Sequence, residues 1–387
     1  MRVAFNALFL QEPYTGTGRY TYNLLSALGR VDGINEYLVL SPATPVVMPE
    51  MPSTFTWREV PVGQLAKGGR RREKVYWEVV TFPQTARQMG ARILHVPYFA
   101  LFRSHGLPTI VTIHDLVNLR LPEYRARAGA YGYAHLVRRA ARHATALIAV
   151  SEHAKSDIIE LLGVPEERVH VIPEAPAPHY RPVTDATKLR EVRERYGLGE
   201  RFVLNVGGLD VRKNIPALIG AFALAYHELN DPELRLFIAG DPDKLGTSPV
   251  FPDWRGLAPK FGIAPQVICM PVAEEDLPAL YSAASCFVFT SRYEGFGLTP
   301  LEAMACGTPV ICSDRTSLPE VVGRAGVLVN PDDLDQIGQH LHRVLADRER
   351  RADLGARGLA HVKYFSWDRV AAETSALYAE VTGNRQG

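Results

Sequence analysis

Ser291 to Ala305, SRYEGFGLTPLEAMA, directly follows the apolar run SCFVFT of residues 285–290. A buried strand that passes through Glu294 and Gly295-Phe296-Gly297 into a helix places that loop at the carboxyl edge of a parallel α/β sheet, where ligands of such sheets bind. Glycines, lacking Cβ, let backbone amides approach an anion, and the positive end of the next helix attracts one. Thr299, Pro300 and Glu302 fit the N-cap, the first helical position and the glutamate of a capping box, so Glu302 also has a purely local explanation. With a phosphate on the glycines, Glu294 on the loop rim and Glu302 one turn into the helix would flank it. Two carboxylates eight residues apart around an anion suit a nucleotide-linked sugar, one for the hexose and one for the ribose.

A second anion feature opens the same half of the chain. The apolar run of residues 202–206 leads into Gly207-Gly208-Leu209-Asp210-Val211-Arg212-Lys213-Asn214 and a helix predicted to about His227. Cations at a helix start oppose the macrodipole, so Arg212 and Lys213 are mildly costly there unless an anion is expected, and we read them as a diphosphate clamp. No Gly-x4-Gly-Lys-Ser/Thr is present, which excludes a P-loop. Near the amino terminus Gly16-Thr17-Gly18-Arg19 opens another helix, but Thr21 replaces the third glycine of a dinucleotide fingerprint, leaving a plain turn or a loop for close approach to a ligand. His114 and Asp115 end the run TIVTIH at a carboxyl edge, where His114 could bind a sugar hydroxyl. Asp241-Pro-Asp243 and Asp333-Leu-Asp335 have the form of a metal-holding triplet, yet such triplets arise by chance; no metal is expected.

Around these features, short Val- and Ile-rich runs alternate with segments of helical period, the pattern of parallel sheets covered on both faces. Strands are expected near residues 3–5, 37–40, 93–96, 109–113, 147–150 and 169–172, then near 202–206, 234–239, 267–269, 287–289, 310–312 and 327–329. Between the two series lies IPEAPAPHYRPV, residues 172–183, whose four prolines neither continue a helix nor enter a sheet centre. A length of 387 residues supports two domains, and the expected boundaries are 1–180 and 181–365. Both would be doubly wound, with strand ends lining a crevice between them.

Composition, 47% hydrophobic and 22% charged with a net charge of +1, excludes a disordered chain and a dedicated nucleic-acid binder. The opening MRVAFNALFLQEP reads as a buried strand rather than an export signal, because Asn6 interrupts the apolar run and Gln11, Glu12 and Pro13 follow it. Cys269, Cys286, Cys306 and Cys312 show no Cys-x-x-Cys spacing and fit buried thiols of a reducing compartment, so a cytoplasmic protein is expected. Charge is uneven, with 20 Lys and Arg against 15 Asp and Glu through residue 180, and 23 against 27 beyond it. Lys67, Arg70, Arg71, Arg72 and Lys74, with Arg120, Arg125, Arg127, Arg138, Arg139 and Arg142, read either as solvated faces or as attraction to an anionic membrane surface or a phosphate-bearing substrate.

EGFGLTPLEAMACGTPV (294–310), GGLDVRKN (207–214), the Gly-x-Gly at 16–18, VTIHDL (111–116) and ALIAVSEHAKSDI (146–158) together resemble the retaining nucleotide-sugar glycosyltransferases of the GT-B fold, family 4. The resemblance covers nearly the whole chain. It implies an α/β fold of two Rossmann-like domains facing a central crevice: an acceptor-binding domain over 1–180, to which a final helix within 366–387 returns, and a donor-binding domain over 181–365. By the same resemblance Arg212 and Lys213 hold the donor diphosphate, and Glu294 with the amides of Gly295, Phe296, Gly297 and Leu298 grips the hexose and phosphate. Glu302 binds the ribose, and Thr299 and Val272 join the donor contacts. His114 touches the donor sugar, and Gly16 to Gly18 close over the diphosphate from the other domain. Some members carry a further cation where this chain has Gly208, which implies fewer diphosphate contacts here.

The resemblance implies no cofactor and no metal, only a nucleotide-sugar co-substrate and a saccharide or lipid-linked acceptor. Leaving-group charge builds on the diphosphate in an oxocarbenium-like transition state, which Arg212, Lys213 and the helix amides would stabilise. Front-face attack, with a diphosphate oxygen taking the acceptor proton, gives retention and leaves Glu294 to orient. The wording TIHDL, HVPYF and SRYEGFGLTPLEA is most similar to polysaccharide-building members, with GDP-mannose the first donor expected and a UDP-hexose the next. The rival readings are a nucleotide-sugar epimerase and an inactive nucleotide-sugar-binding scaffold on the same fold.

Overall fold

The computed structural model describes residues 1–63, 69–125 and 130–383, with side chains undescribed over 125–134. Lys67 and Arg127 lie outside the described residues, and the side chain of Arg125 lies among the undescribed ones. The chain divides into two compact units, Met1–Glu174 with Ser366–Gly387, and Ala175–Phe365.

The first unit is a seven-stranded, wholly parallel sheet, β1 (Arg2–Asn6), β2 (Glu36–Ser41), β3 (Phe55–Glu59), β4 (Ile93–Val96), β5 (Thr109–Ile113), β6 (Ala146–Ala149) and β7 (Val169–Val171), in the order β3-β2-β1-β4-β5-β6-β7. Its central strands are buried on both faces, which is why they read as short runs rich in apolar residues, with the polar His95, Thr109 and Thr112 buried among them. β3, FTWRE, was not expected from the sequence. It is an edge strand with mostly exposed or half-buried side chains, and it lacks the apolar run on which the reading relied.

Helix Trp367–Gly383 belongs to this unit and lies against helix Gly16–Val31. Asp32 caps the turn after the latter, accepting from Asn35, from the Tyr37 hydroxyl at 2.6 Å and from Ser375 Oγ at 2.6 Å. Deeper in, the Tyr378 hydroxyl meets His95 Nδ1 at 2.6 Å. Burial drives the His95 imidazole down to about 3, so it sits neutral in the core.

One buried carboxyl in this unit is poorly compensated. Glu78 is 1% exposed, and Lys74 Nζ stands 3.7 Å away. Burial raises its pKa to about 7, against the pull of Lys74 and of hydrogen bonds from Tyr98 and the Leu101 backbone. An acid whose folded-state value is raised stabilises the fold only while protonated, so this contribution is lost as pH rises from about 4.5 through 7. Glu78→Gln removes the titration. It is expected to stabilise the protein at pH 8 by about 3 kcal/mol and to change little at pH 4.5, as urea unfolding at the two pH values would show.

The second unit is a six-stranded parallel sheet, β8 (Phe202–Val206), β9 (Arg235–Ala239), β10 (Val267–Met270), β11 (Cys286–Phe289), β12 (Val310–Ser313) and β13 (Val327–Val329), in the order β10-β9-β8-β11-β12-β13. Helices Ile215–Leu229 and Leu334–Ala346 pack together with these strands in one apolar core. The order reverses at β8 and β11, so the loops that leave those two neighbouring strands diverge at the carboxyl edge. The four cysteines are free, three of them buried. No described helix is long and apolar enough to cross a membrane.

Candidate functional site

The loops after β8 and β11 are tied together by backbone and hydroxyl bonds. The Arg292 amide donates to the Arg212 carbonyl at 2.7 Å, Ser291 Oγ lies 3.1 Å from the same carbonyl, and Thr290 Oγ1 donates to the Lys213 carbonyl at 3.2 Å. Val211–Lys213 form a single 3-10 turn, and Asn214 enters the left-handed region to start helix Ile215–Leu229. The two cations thus precede that helix, which extends past the predicted His227.

This stitching brings Arg212, Lys213 and Glu294 into one cluster. Lys213 Nζ donates to Glu294 Oε1 at 2.6 Å and lies 4.7 Å from the centre of the Phe289 ring. Ser291 Oγ donates to the same carboxylate oxygen at 2.6 Å, and Arg212 Nη1 reaches Oε2 at 3.4 Å. Arg212 Nε also donates to Asp210 Oδ1 at 3.0 Å. Burial alone would raise the Glu294 carboxyl, but the Lys213 ammonium and the Arg212 guanidinium more than offset it, holding the group below the ordinary carboxylate range. Glu294 and Lys213 are each 8% exposed, whereas Arg212 is more open. Asp210 and Ser291 were missed as site residues. The available signal for Asp210 was an acid two positions before an arginine in a turn.

The glycine segment is built differently from the sequence reading. Helix Leu298–Ala305 is capped by Gly297 rather than Thr299, with no side-chain cap bond, so Thr299 and Pro300 lie inside its first turn and the capping box does not form. Gly297 has φ 133°, and a Cβ there would stand 2.8 Å from Leu318 Cδ2, so conformation and packing both require glycine. Gly295 and Phe296 are buried, Leu298 and Thr299 half-buried. Glu302 points to the helix packed behind it and accepts from the Tyr281 hydroxyl at 3.1 Å, at 2% exposure. Glu294 and Glu302 therefore face different partners. Val272 follows β10 at the same carboxyl edge and is half-buried.

Neither aspartate triplet gathers ligands. Asp241 accepts from the Asp243 amide at 3.1 Å and Asp333 from the Gln336 amide at 2.9 Å, each capping the turn or helix that follows. Among the described residues no group of three or more His, Cys, Asp or Glu is placed to hold a metal ion.

In the first unit, His114 leaves β5 with both ring nitrogens engaged. Nδ1 lies 2.7 Å from Glu174 Oε1 and Nε2 lies 3.0 Å from the Pro97 carbonyl oxygen, so a sugar hydroxyl would have to share Nε2–H. Gly16 and Gly18 start helix Gly16–Val31, whose N-cap Thr15 accepts from the Gly18 amide at 3.1 Å. A Cβ on Gly18 would fall 2.1 Å from the Glu12 carbonyl oxygen, whereas one on Gly16 would meet nothing within 4 Å. Packing thus requires glycine at position 18, whereas it does not at position 16. Of the basic residues, Arg120 binds Asp157 and Glu160 and Arg142 Nε donates to the Leu162 carbonyl, while Arg70, Arg71 and Arg72 are exposed.

Comparison with known proteins fits this geometry. The family model described as Glycosyltransferase Family 4 matches residues 14–175, and that of Glycosyl transferases group 1 matches residues 189–361. O-antigen chain mannosyltransferase B of Escherichia coli is 32% identical over 98% of this chain and 99% of its own. Among solved structures, sucrose-phosphate synthase from Thermosynechococcus elongatus aligns with TM-score 0.76 at 22% identity, covering 99% of this chain and 100% of that one. Anabaena HepE in complex with UDP-glucose aligns with TM-score 0.72 at 16% identity, covering 98% and 100%. These likenesses show the GT-B fold. The chain is a glycosyltransferase and belongs to the family-4, group 1 glycosyltransferases.

Proposed function

We propose that this glycosyltransferase moves a mannosyl group from GDP-mannose to a saccharide acceptor, with retention of configuration and without a metal ion, in building a polysaccharide. The observation that carries the donor site is the buried Lys213–Glu294 pair with Arg212 beside it, at the carboxyl edge where the strand order reverses. End-to-end likeness to an O-antigen mannosyltransferase supports mannose and a polysaccharide product.

In this reading Arg212 and Lys213 take the donor diphosphate and stabilise the charge that builds on it as the sugar bond breaks. Glu294, held ionised by the same cations, orients the hexose through its hydroxyls, and the amides of Gly295 to Leu298 contact the phosphate. Val272 and Thr299 line the donor, and Glu302 receives the ribose by exchanging or sharing its Tyr281 contact. His114 shares its Nε2–H with a sugar hydroxyl, and Gly16 approaches the diphosphate. The acceptor hydroxyl attacks from the face the diphosphate leaves, passing its proton to a diphosphate oxygen. Exposed Arg70, Arg71 and Arg72 support a lipid-linked, anionic acceptor met at a membrane surface, and the free buried cysteines support a cytoplasmic setting.

Turnover of GDP-mannose, UDP-glucose and UDP-galactose with mannose oligosaccharides, with and without EDTA, tests this, the product anomer being read by NMR. GDP-mannose turnover that survives EDTA and gives the α-linkage of the donor is expected. Turnover of a UDP-hexose alone, a β-linked product, or loss in EDTA each contradicts one named part.

A further inference from the structure

We infer that Glu174 is a positioning residue for His114, fixing its ring and keeping both nitrogens protonated so that Nε2 acts only as a donor; this rests on the reading of His114 as a sugar contact. Both atoms facing the ring are acceptors: the Glu174 carboxylate at 2.7 Å from Nδ1 and the Pro97 carbonyl oxygen at 3.0 Å from Nε2. A carbonyl oxygen has no proton to give, so Nε2 must carry one. Nδ1 facing a carboxylate is satisfied by carrying the other. The Tyr20 ring packs edge-on against the imidazole at 4.7 Å and limits its rotation.

The surroundings agree in sign. Burial opposes charge on His114, yet the Glu174 charge, its hydrogen bond, the Pro97 carbonyl and Asp115 together raise the imidazole above its ordinary value. Of the neighbouring titratable groups, His95 on β4 is held neutral by burial, and burial keeps the Tyr20 phenol protonated. Glu174, 4% exposed, ends the first of the two segments of the first unit, within the proline-rich stretch. Sequence reading passed over it because it lies 60 residues from His114 in a segment taken for a linker.

In the unaltered protein, 15N shifts of the His114 ring at pH 7 should show two protonated nitrogens; a neutral ring overturns the inference. For Glu174→Gln the His114 titration midpoint should fall by about one pH unit or more, and the alkaline decline of kcat/KM should move down with it, while Glu174→Asp retains most of the wild-type profile. An unchanged midpoint in Glu174→Gln, with the fold confirmed by melting, also overturns it. His114→Gln separates the two readings: wild-type turnover there removes the sugar-contact role of His114. Lost turnover there, with an unaltered Glu174→Gln profile, removes only the role of Glu174.

Discussion

Lys213→Met is expected to lower turnover on the order of a hundredfold and to destabilise the fold by about 3 kcal/mol. On the proposed reading, the catalytic loss follows from removing one preorganised cation where leaving-group charge would develop, about 3 kcal/mol of barrier. The stability loss has a separate origin. Lys213 and Glu294 are both buried, so removing the ammonium leaves a desolvated carboxylate with only Ser291 and the longer Arg212 contact. Glu294, held below its ordinary value, adds stability that is present above about pH 4.3 and is lost as pH falls through its lower folded-state value. The destabilisation should therefore be largest near neutrality and shrink in acid. A double variant, Lys213→Met with Glu294→Leu, should recover much of the melting temperature and none of the turnover. Recovery of both would mean that the pair is only structural.

Gly18→Ala and Gly16→Ala should part company. A Cβ on Gly18 would collide with the Glu12 carbonyl at 2.1 Å and come within 2.8 Å of Pro13 Cα, both of them backbone atoms. The turn before helix Gly16–Val31 would have to move, at about 3 kcal/mol. Gly16 has open space around its missing Cβ, so Gly16→Ala should change stability by less than about 0.5 kcal/mol. If Gly16 approaches the donor diphosphate, that variant should raise the donor KM on the order of tenfold at an unchanged melting temperature. An unaltered KM removes Gly16 from the donor site.

Much of this architecture was legible because parallel strands are buried on both faces and announce themselves as apolar runs. β8 and β13 match their expected limits, whereas the edge strand β3, with its outward Arg58 and Glu59, offers no such run. Local pattern misled where tertiary packing decided. Thr299-x-x-Glu302 has the spacing of a capping box, yet Gly297 caps the helix and Glu302 turns to Tyr281, a partner 21 residues away that spacing cannot reveal. Gly18 was read as a ligand-approach glycine, and the Glu12 carbonyl gives it a packing reason that the sequence did not reveal. Glu294, Arg212 and Lys213 were singled out from the sequence as candidates, but their mutual bonds were not legible, since 81 residues separate Lys213 from Glu294 and the adjacency of β8 and β11 joins them. That proximity also explains the contacts of Asp210 with Arg212 and of Ser291 with the Glu294 carboxylate.

The central claim is that Arg212 and Lys213 hold a donor diphosphate, and calorimetric titration of GDP into the unaltered protein and into Arg212→Ala, both in EDTA, tests it most directly. Arg212 is the more open of the two cations, so its removal should spare the fold. The account predicts saturable GDP binding without metal to the unaltered protein and affinity lower by about tenfold or more in the variant, a difference near 1.4 kcal/mol. Equal affinity in the two proteins, or no binding to the unaltered one, would contradict it.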